Sequence, residues 1–454
     1  MERAAVLLAA GMLSLSATVL SAPPAQAATT SAWTMYHLHS SHDGNDTGEP
    51  AFSSAARAWR TSFASTDKVY AEPLVLNGVV YAVTQDDNVY ALDEATGQVA
   101  WSLNLGTPVN STSLPCGNVS PHVGILGTPI IDPAANILYA LAYNLVGGVN
   151  QHNLYAVDLA THAVLWSTAA DPIPSITNVE QQRPALALGN GNVYVAYGGL
   201  AGDCGAYHGL IVAISTSSHA IVAFGESAFK NGDTGSGIWG PSGPALDSAG
   251  NVYVTTGNGS SNLGYDYSET VAKLSPGLTA IATWAPANWK SLDAGDVDVG
   301  SMGPLVLNDR AVFQSGKNGV GYLLSLTRPN QIGGELFSQQ FSSSGCFGGV
   351  AFDGATVYVP CDSGIYALSL HSGPPTFTTA WHFGSGTFNS PILAGGAVWT
   401  ISGSNLYALN PGTGSLKIPT IALGSGTSRF VTPSAAGGRI FVPETTAIEA
   451  FALS

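Results

Sequence analysis

Residues Ala71 to Trp101 read AEPLVLNGVVYAVTQDDNVYALDEATGQVAW, short apolar runs parted by turn residues. The apolar run Pro73-Leu74-Val75-Leu76 stops at Asn77-Gly78. That dipeptide suits a two-residue hairpin, because both central residues must take positive φ. Val79 to Val83 follows as a second strand, Asn88 to Asp93 as a third, and Gln98 to Leu103, around Trp101, as a fourth. The unit is a four-stranded antiparallel meander.

The unit recurs along the chain. Its second strand is found again as Leu138-Tyr139, Val193-Tyr194-Val195, Val252-Tyr253-Val254, Ala311-Val312-Phe313, Val357-Tyr358-Val359, Ala397-Val398-Trp399 and Ile440-Phe441-Val442. Repeated four-stranded units predict an all-β propeller, here with eight blades. The last unit reaches Ser454 after its third strand, while Ala58 to Ser62 precedes the first unit as an unassigned strand. The early strand is therefore expected to complete blade eight and remove an open edge. This divides the chain into a leader over 1–27, a lead-in segment over 28–57 and one propeller over 58–454.

The leader is a short n-region, Met1-Glu2-Arg3, then an apolar run from Ala4 to Leu20 and a small-x-small pattern ending at Ala27. That is the pattern of a cleaved secretory signal, so the protein is expected outside the cell or at the cell wall. No later run approaches the roughly 20 apolar residues that a spanning helix needs. Only 9% of residues are charged, and the net charge is −15 with 14 Lys plus Arg. Nucleic-acid binding by counterion release needs clustered cations, which this composition excludes. The expected partner is a small molecule, a polysaccharide or a protein, bound by a monomer.

Four cysteines in an oxidising compartment suggest two disulfides. Cys346 lies seven residues before Asp353 and Cys361 seven after Gly354. If Asp353-Gly354 is a two-residue turn, these cysteines face each other across a hairpin. Cys116 and Cys204 remain; both fall in long loops of neighbouring blades on one face, so they are paired partly by elimination.

The pattern Tyr90-Ala91-Leu92-Asp93-Glu94-Ala95-Thr96-Gly97 with Trp101 resembles the repeat of pyrroloquinoline-quinone (PQQ) dehydrogenases and of the propeller lipoprotein of outer-membrane assembly. Longer stretches, such as Gly202-Asp203-Cys204-Gly205-Ala206-Tyr207-His208-Gly209, resemble secreted bacterial proteins with quinone-binding-like propellers. For a dehydrogenase the resemblance implies a quinone in the funnel, stacked on an aromatic floor, with calcium, an aspartate base and a disulfide between adjacent cysteines. No two cysteines are adjacent here, and a haem Cys-x-x-Cys-His is missing.

The first-to-second and third-to-fourth strand turns share one face and are short. The other face carries the long connections, concentrated around blades two to five, and a site is expected there. Its candidate ligand-binding residues are His122, Arg183, Asp203, His208, Trp239, Asp296, Asp298 and Lys317. Arg183, just before a first strand, either reaches the axial funnel and holds an anion or pairs with a buried carboxylate. Asp296 and Asp298 alternate as in a calcium loop, or cap a turn. His122 and His208 with Asp203 could supply metal ligands, or serve as ordinary loop histidines. Trp239, in Gly237-Ile238-Trp239-Gly240, is placed to stack a flat ligand or to pack in the core. His37, His39, His42 and Asp43 form a second, weaker metal candidate. No G-x-S-x-G or H-E-x-x-H motif supports a hydrolase. The leading expectation is a non-catalytic binding propeller without cofactor; the alternative is an alcohol or sugar dehydrogenase using PQQ with calcium.

Overall fold

Asn77 and Gly78 both take positive φ, 52° and 80°, and Leu76 pairs with Val79 across them. The two-residue hairpin of blade one is thus formed as read. Its four strands, here lettered A to D from the axis outward, are Leu74–Leu76, Val79–Val83, Asn88–Asp93 and Val99–Asn104. This computed structural model describes Met1 and residues 32–226, 234–260, 264–308 and 311–454. The expected leader, 1–27, lies outside the described residues apart from Met1.

Eight such antiparallel sheets form the ring. Blade eight supplies Ser434–Ala436, Arg439–Glu444 and Ala447–Leu453 and takes its outer strand from Ala55–Ser62. That strand begins three residues earlier than expected. Arg57 pairs with Glu449, and Arg60 with Glu444 at 2.6 Å, both carboxylates having fully buried side chains. Burial raises the Glu444 carboxyl, but Arg60 and the Ser425 N–H outweigh it and hold the group below its ordinary range.

The repeat motif has a packing reason. Trp59, on the outer strand of blade eight, donates its indole N–H to the Glu94 carbonyl at 2.9 Å, on the C–D turn of blade one. A Cβ on Gly97 would meet the Trp59 ring at 2.5 Å, and Gly97 has φ +71°. Trp381 docks in the same way on Pro411 and Gly414 of blade seven. Where the glycine is replaced, by His162 and His219, the imidazoles stack on Trp101 and Trp166 at 4.8 and 4.3 Å. Each such tryptophan fastens its blade to the next.

The lead-in segment is a plug across the end of the axis opposite the long loops. Its backbone exchanges hydrogen bonds with Val75 of blade one through Trp33 and accepts from Ile131, Leu246, Val306, Phe352 and Leu393. Asn45–Asp46 adds a parallel strand to blade seven, and Glu49 accepts the Gly438 N–H of blade eight at 2.8 Å. Seven of the eight blades are therefore tied to one peptide. The histidines of the second metal candidate serve this plug. His37 and His42 are buried and neutral, with burial lowering them to about 4 and about 3. His39 pairs instead with Asp43 at 2.8 Å.

Both disulfides are present, Cys116–Cys204 with Cα atoms 6.2 Å apart and Cys346–Cys361 at 3.9 Å. The second does not close across the expected two-residue turn. The hairpin loop has four residues, since Phe352 pairs with Val357. Asp353 Oδ1 accepts the N–H groups of Ala355 and Thr356 and widens the turn. The strand before it carries two compensating residues within Phe347–Val350, where Gly348 has φ +92°, and pairing returns to Cys346↔Cys361.

Candidate functional site

Six of the eight candidate residues line one cavity of about 210 Å³ on the long-loop face: Arg183, Asp203, Trp239, Asp296, Asp298 and Lys317. Arg183, Trp239, Asp296 and Asp298 stand on D-to-A connections, which enter the ring beside its axis. Asp203 and Lys317 come from the B–C loops of blades three and five. In blade two the B–C connection, expected as a long loop over about Tyr143 to Asn153, is a strand extension, Ile137–Val146 pairing Val149–Asp158 around Gly147-Gly148.

His122 and His208 stand outside the cavity lining. His122 Nδ1 pairs with Asp86 at 2.7 Å, on a short strand paired to Val109–Asn110. The His208 N–H donates to Glu180 Oε1 at 2.7 Å, and its ring Nδ1 is buried without a partner. With Asp203 on the cavity wall, the three do not form a common metal-binding set.

Three walls have distinct chemistry. Trp239 sits in a glycine socket: a Cβ on Gly198, Gly237 or Gly257 would lie 2.5, 2.6 or 2.5 Å from its ring. Its N–H donates to the Gly199 carbonyl at 3.1 Å, and the partly exposed ring faces the cavity. The second wall is a charge cluster. Lys317 Nζ bridges Asp296 at 2.7 Å and Asp298, while the other Asp298 oxygen accepts the Asn258 N–H at 2.8 Å. Neither an open calcium loop nor a simple capped turn describes this arrangement, because the protein's own ammonium holds both carboxylates. Beneath it, Glu269 is buried. Burial first, then Asp298 and Asp293, raises its carboxyl to about 9 although Val299 N–H and Lys317 pull the other way.

Glu269 is neutral in the fold but ionises in the unfolded chain above its ordinary 4.5. The unfolded state thus binds fewer protons, and stability falls as pH rises between about 4.5 and about 9, by about 1.4 kcal/mol per unit at most. Urea unfolding from pH 6 to 9 should show the decline, and Glu269→Gln, whose amide replaces the neutral acid, should flatten it. Parallel profiles for the two proteins would contradict the assignment.

The third wall is Arg183. It is largely buried, with one long hydrogen bond from Nη2 to the Trp239 carbonyl at 3.3 Å and no partner for Nε. Among the described residues no carboxylate lies within ion-pair distance of it. Desolvation, with Arg429 nearby, lowers its guanidinium to about 10. Its cationic carbon stands 4.9 Å from the Phe430 ring, which Arg429 also approaches at 5.1 Å. Sequence reasoning missed Phe347 and Phe430, which complete the wall from the connections before blades six and eight. One signal was legible: Arg429-Phe430 interrupts an otherwise small, polar connection.

Comparisons with known proteins bear on the fold. Residues 51–256 match the family model described as outer membrane protein assembly factor BamB. Over 92% of the chain, and 80% of the other, the fold is similar to quinohemoprotein alcohol dehydrogenase from Comamonas testosteroni, at 15% identity and TM-score 0.69. A europium-containing methanol dehydrogenase shares 15% identity over 93% of this chain and 98% of its own, with TM-score 0.71. The chain shares its β-propeller fold with these dehydrogenases. BamB from Moraxella catarrhalis gives 13% identity over 88% and 100% of the two chains, TM-score 0.59. No curated protein matches the chain.

A quinone with calcium can be tested against this propeller's residues. Trp239 offers an aromatic floor and Asp298 a carboxylate. The cation's place beside Asp298 is held by Lys317, and both Asp298 oxygens are engaged. Neither disulfide joins adjacent residues, with separations of 88 and 15, and no cysteine lines the funnel. Among the described residues no three His, Cys, Asp or Glu side chains are placed to share a metal ion. The residues present do not fit a calcium-bound quinone.

Proposed function

We propose that the protein is a secreted, non-catalytic binding propeller whose funnel takes an organic anion. The observation that carries this reading is Arg183. A guanidinium removed from water without a carboxylate is costly, and its planar fork matches carboxylate or phosphate oxygens. A bound anion would complete it, with Trp239, Phe347 and Phe430 covering the body of the ligand. The two disulfides support an oxidising compartment. The long connections around the funnel would supply the ligand or partner face, whether the anionic group belongs to a small molecule, an acidic polysaccharide or a protein side chain. The second reading, a PQQ-dependent dehydrogenase, is favoured by the Trp239 floor and opposed by the Lys317 bridge.

The test is a thermal-shift panel of carboxylates, phosphates and sulfates on wild type and Arg183→Met. At least one class should raise the melting temperature of wild type. The variant should bind it at least about thirtyfold more weakly, the range expected when a charged hydrogen-bonding partner is removed. Equal shifts in both proteins would remove Arg183 from the site.

A further inference from the structure

A second chamber, of about 130 Å³, lies on the axis between the funnel and the plug. Tyr36 reaches it from the plug, and Glu72, Leu126 and Thr128 line it. Arg183 and Phe430 line both chamber and funnel and so form the neck between them. Phe430 holds that place with a backbone φ of +71°, its N–H donating to Asn389 Oδ1 at 3.0 Å. Positive φ is an outlier for a bulky residue.

Two polar groups bordering the chamber have unmet hydrogen-bonding capacity. One is Arg183. The other is Glu72, only 2% exposed. Its Oε2 accepts the His37 N–H at 2.9 Å, and its Oε1 has no partner. The Trp33 indole lies beside the carboxyl without closing a hydrogen bond of good geometry. Burial raises the carboxyl well above its ordinary range, so Glu72 is held as the acid, able to donate as well as accept. The space is ring-sized, since an apolar cavity of about 150 Å³ admits benzene.

We propose that this chamber takes the ring of a small hydroxylated aromatic acid, its carboxylate on Arg183 at the neck and its ring hydroxyl on Glu72. The inference rests on the reading of Arg183 as an anion site and adds the class of ligand. Tyr36, Leu126 and Phe430 supply the apolar contact, and Glu72 rewards a hydroxyl that an unsubstituted ring lacks. A ring without a carboxylate would leave Arg183 unpaired.

Calorimetric titration with benzoate, 4-hydroxybenzoate and 4-hydroxybenzyl alcohol tests it. 4-Hydroxybenzoate should bind about tenfold tighter than benzoate, as one further buried hydrogen bond allows, and the uncharged alcohol should not bind in the same range. Glu72→Gln should reduce the hydroxyl preference, and Glu72→Leu abolish it, with benzoate still bound. Leu126→Trp, which fills the chamber, should exclude both acids; Thr432→Leu, a smaller filling change at the same chamber, serves if that variant does not fold. Aromatic acids bound equally well by the filled variants would overturn the chamber site. If aromatic acids fail to bind while other anions bind through Arg183, the chamber inference falls and the funnel reading stands. If no anion binds in an Arg183-dependent way, both fall.

Discussion

A chain beginning at residue 63 is expected to aggregate rather than accumulate as a folded monomer. Its blade eight would present Ala447–Leu453 as an open edge, with the backbone groups that now pair with Ala55–Ser62 unmatched and available to another chain. Glu444 and Glu449, with fully buried side chains, would lose the part-exposed Arg60 and Arg57 and be left as buried carboxylates without their cations, which is costly. The truncation also removes the plug. A chain beginning at residue 50 separates the two effects, because it keeps the closing strand and loses only the ties of residues 33–49. It should remain monomeric but melt at lower temperature. Sedimentation and thermal unfolding of both truncations check this. A monomeric chain from residue 63 with an unchanged melting temperature would contradict the closure.

Replacing Cys116 and Cys204 together by serine should give the largest loss among side-chain changes. The bridge spans 88 residues, and releasing a loop of that size from the unfolded chain corresponds to about 4–5 kcal/mol in the chain-entropy model. The Cys346–Cys361 bridge spans only 15, for which the same model gives about 3 kcal/mol. The longer bridge also positions the site. It ties the loop before blade two to residues 200–204, and Leu200, Ala201, Gly202 and Asp203 form one wall of the funnel. The double variant should therefore lose anion affinity as well as stability, whereas Cys346→Ser with Cys361→Ser should mainly lose stability. Denaturant unfolding and calorimetric titration of both variants measure the difference. Equal effects of the two on binding would detach the loop from the funnel.

The ring was legible because each blade repeats one local solution: Asn77-Gly78 makes a turn, Val79 to Val83 alternates, and Trp101 ends the unit. Local patterns of that kind survive in sequence because they are fixed by neighbours along the chain. Convergence of Arg183, Asp203, Trp239, Asp296, Asp298 and Lys317 was also accessible, since strand order alone puts their connections on one face. His122 and His208 share that face but stand outside the cavity, the His122 ring pairing with Asp86 and the His208 backbone N–H donating to Glu180, and neither arrangement within a loop is written in its spacing. The plug could not be read at all. Six of its seven ties run from backbone to backbone, and Trp33 to Asn45 has neither a strand pattern nor a turn signature that specifies six blades as partners. The paired cysteines show a subtler failure: a two-residue turn was wrong, and two extra residues in the facing strand restored the same pairing.

A ring that binds an anion through Arg183 and does not work as a quinone enzyme should fail to retain the quinone. Purified protein incubated with PQQ and calcium, then desalted, can be examined by absorbance and by reduction of an electron-accepting dye with ethanol or glucose. The expected result is protein free of quinone absorbance and no dye reduction above the protein-free control. Stoichiometric retained quinone with substrate-dependent dye reduction would contradict it.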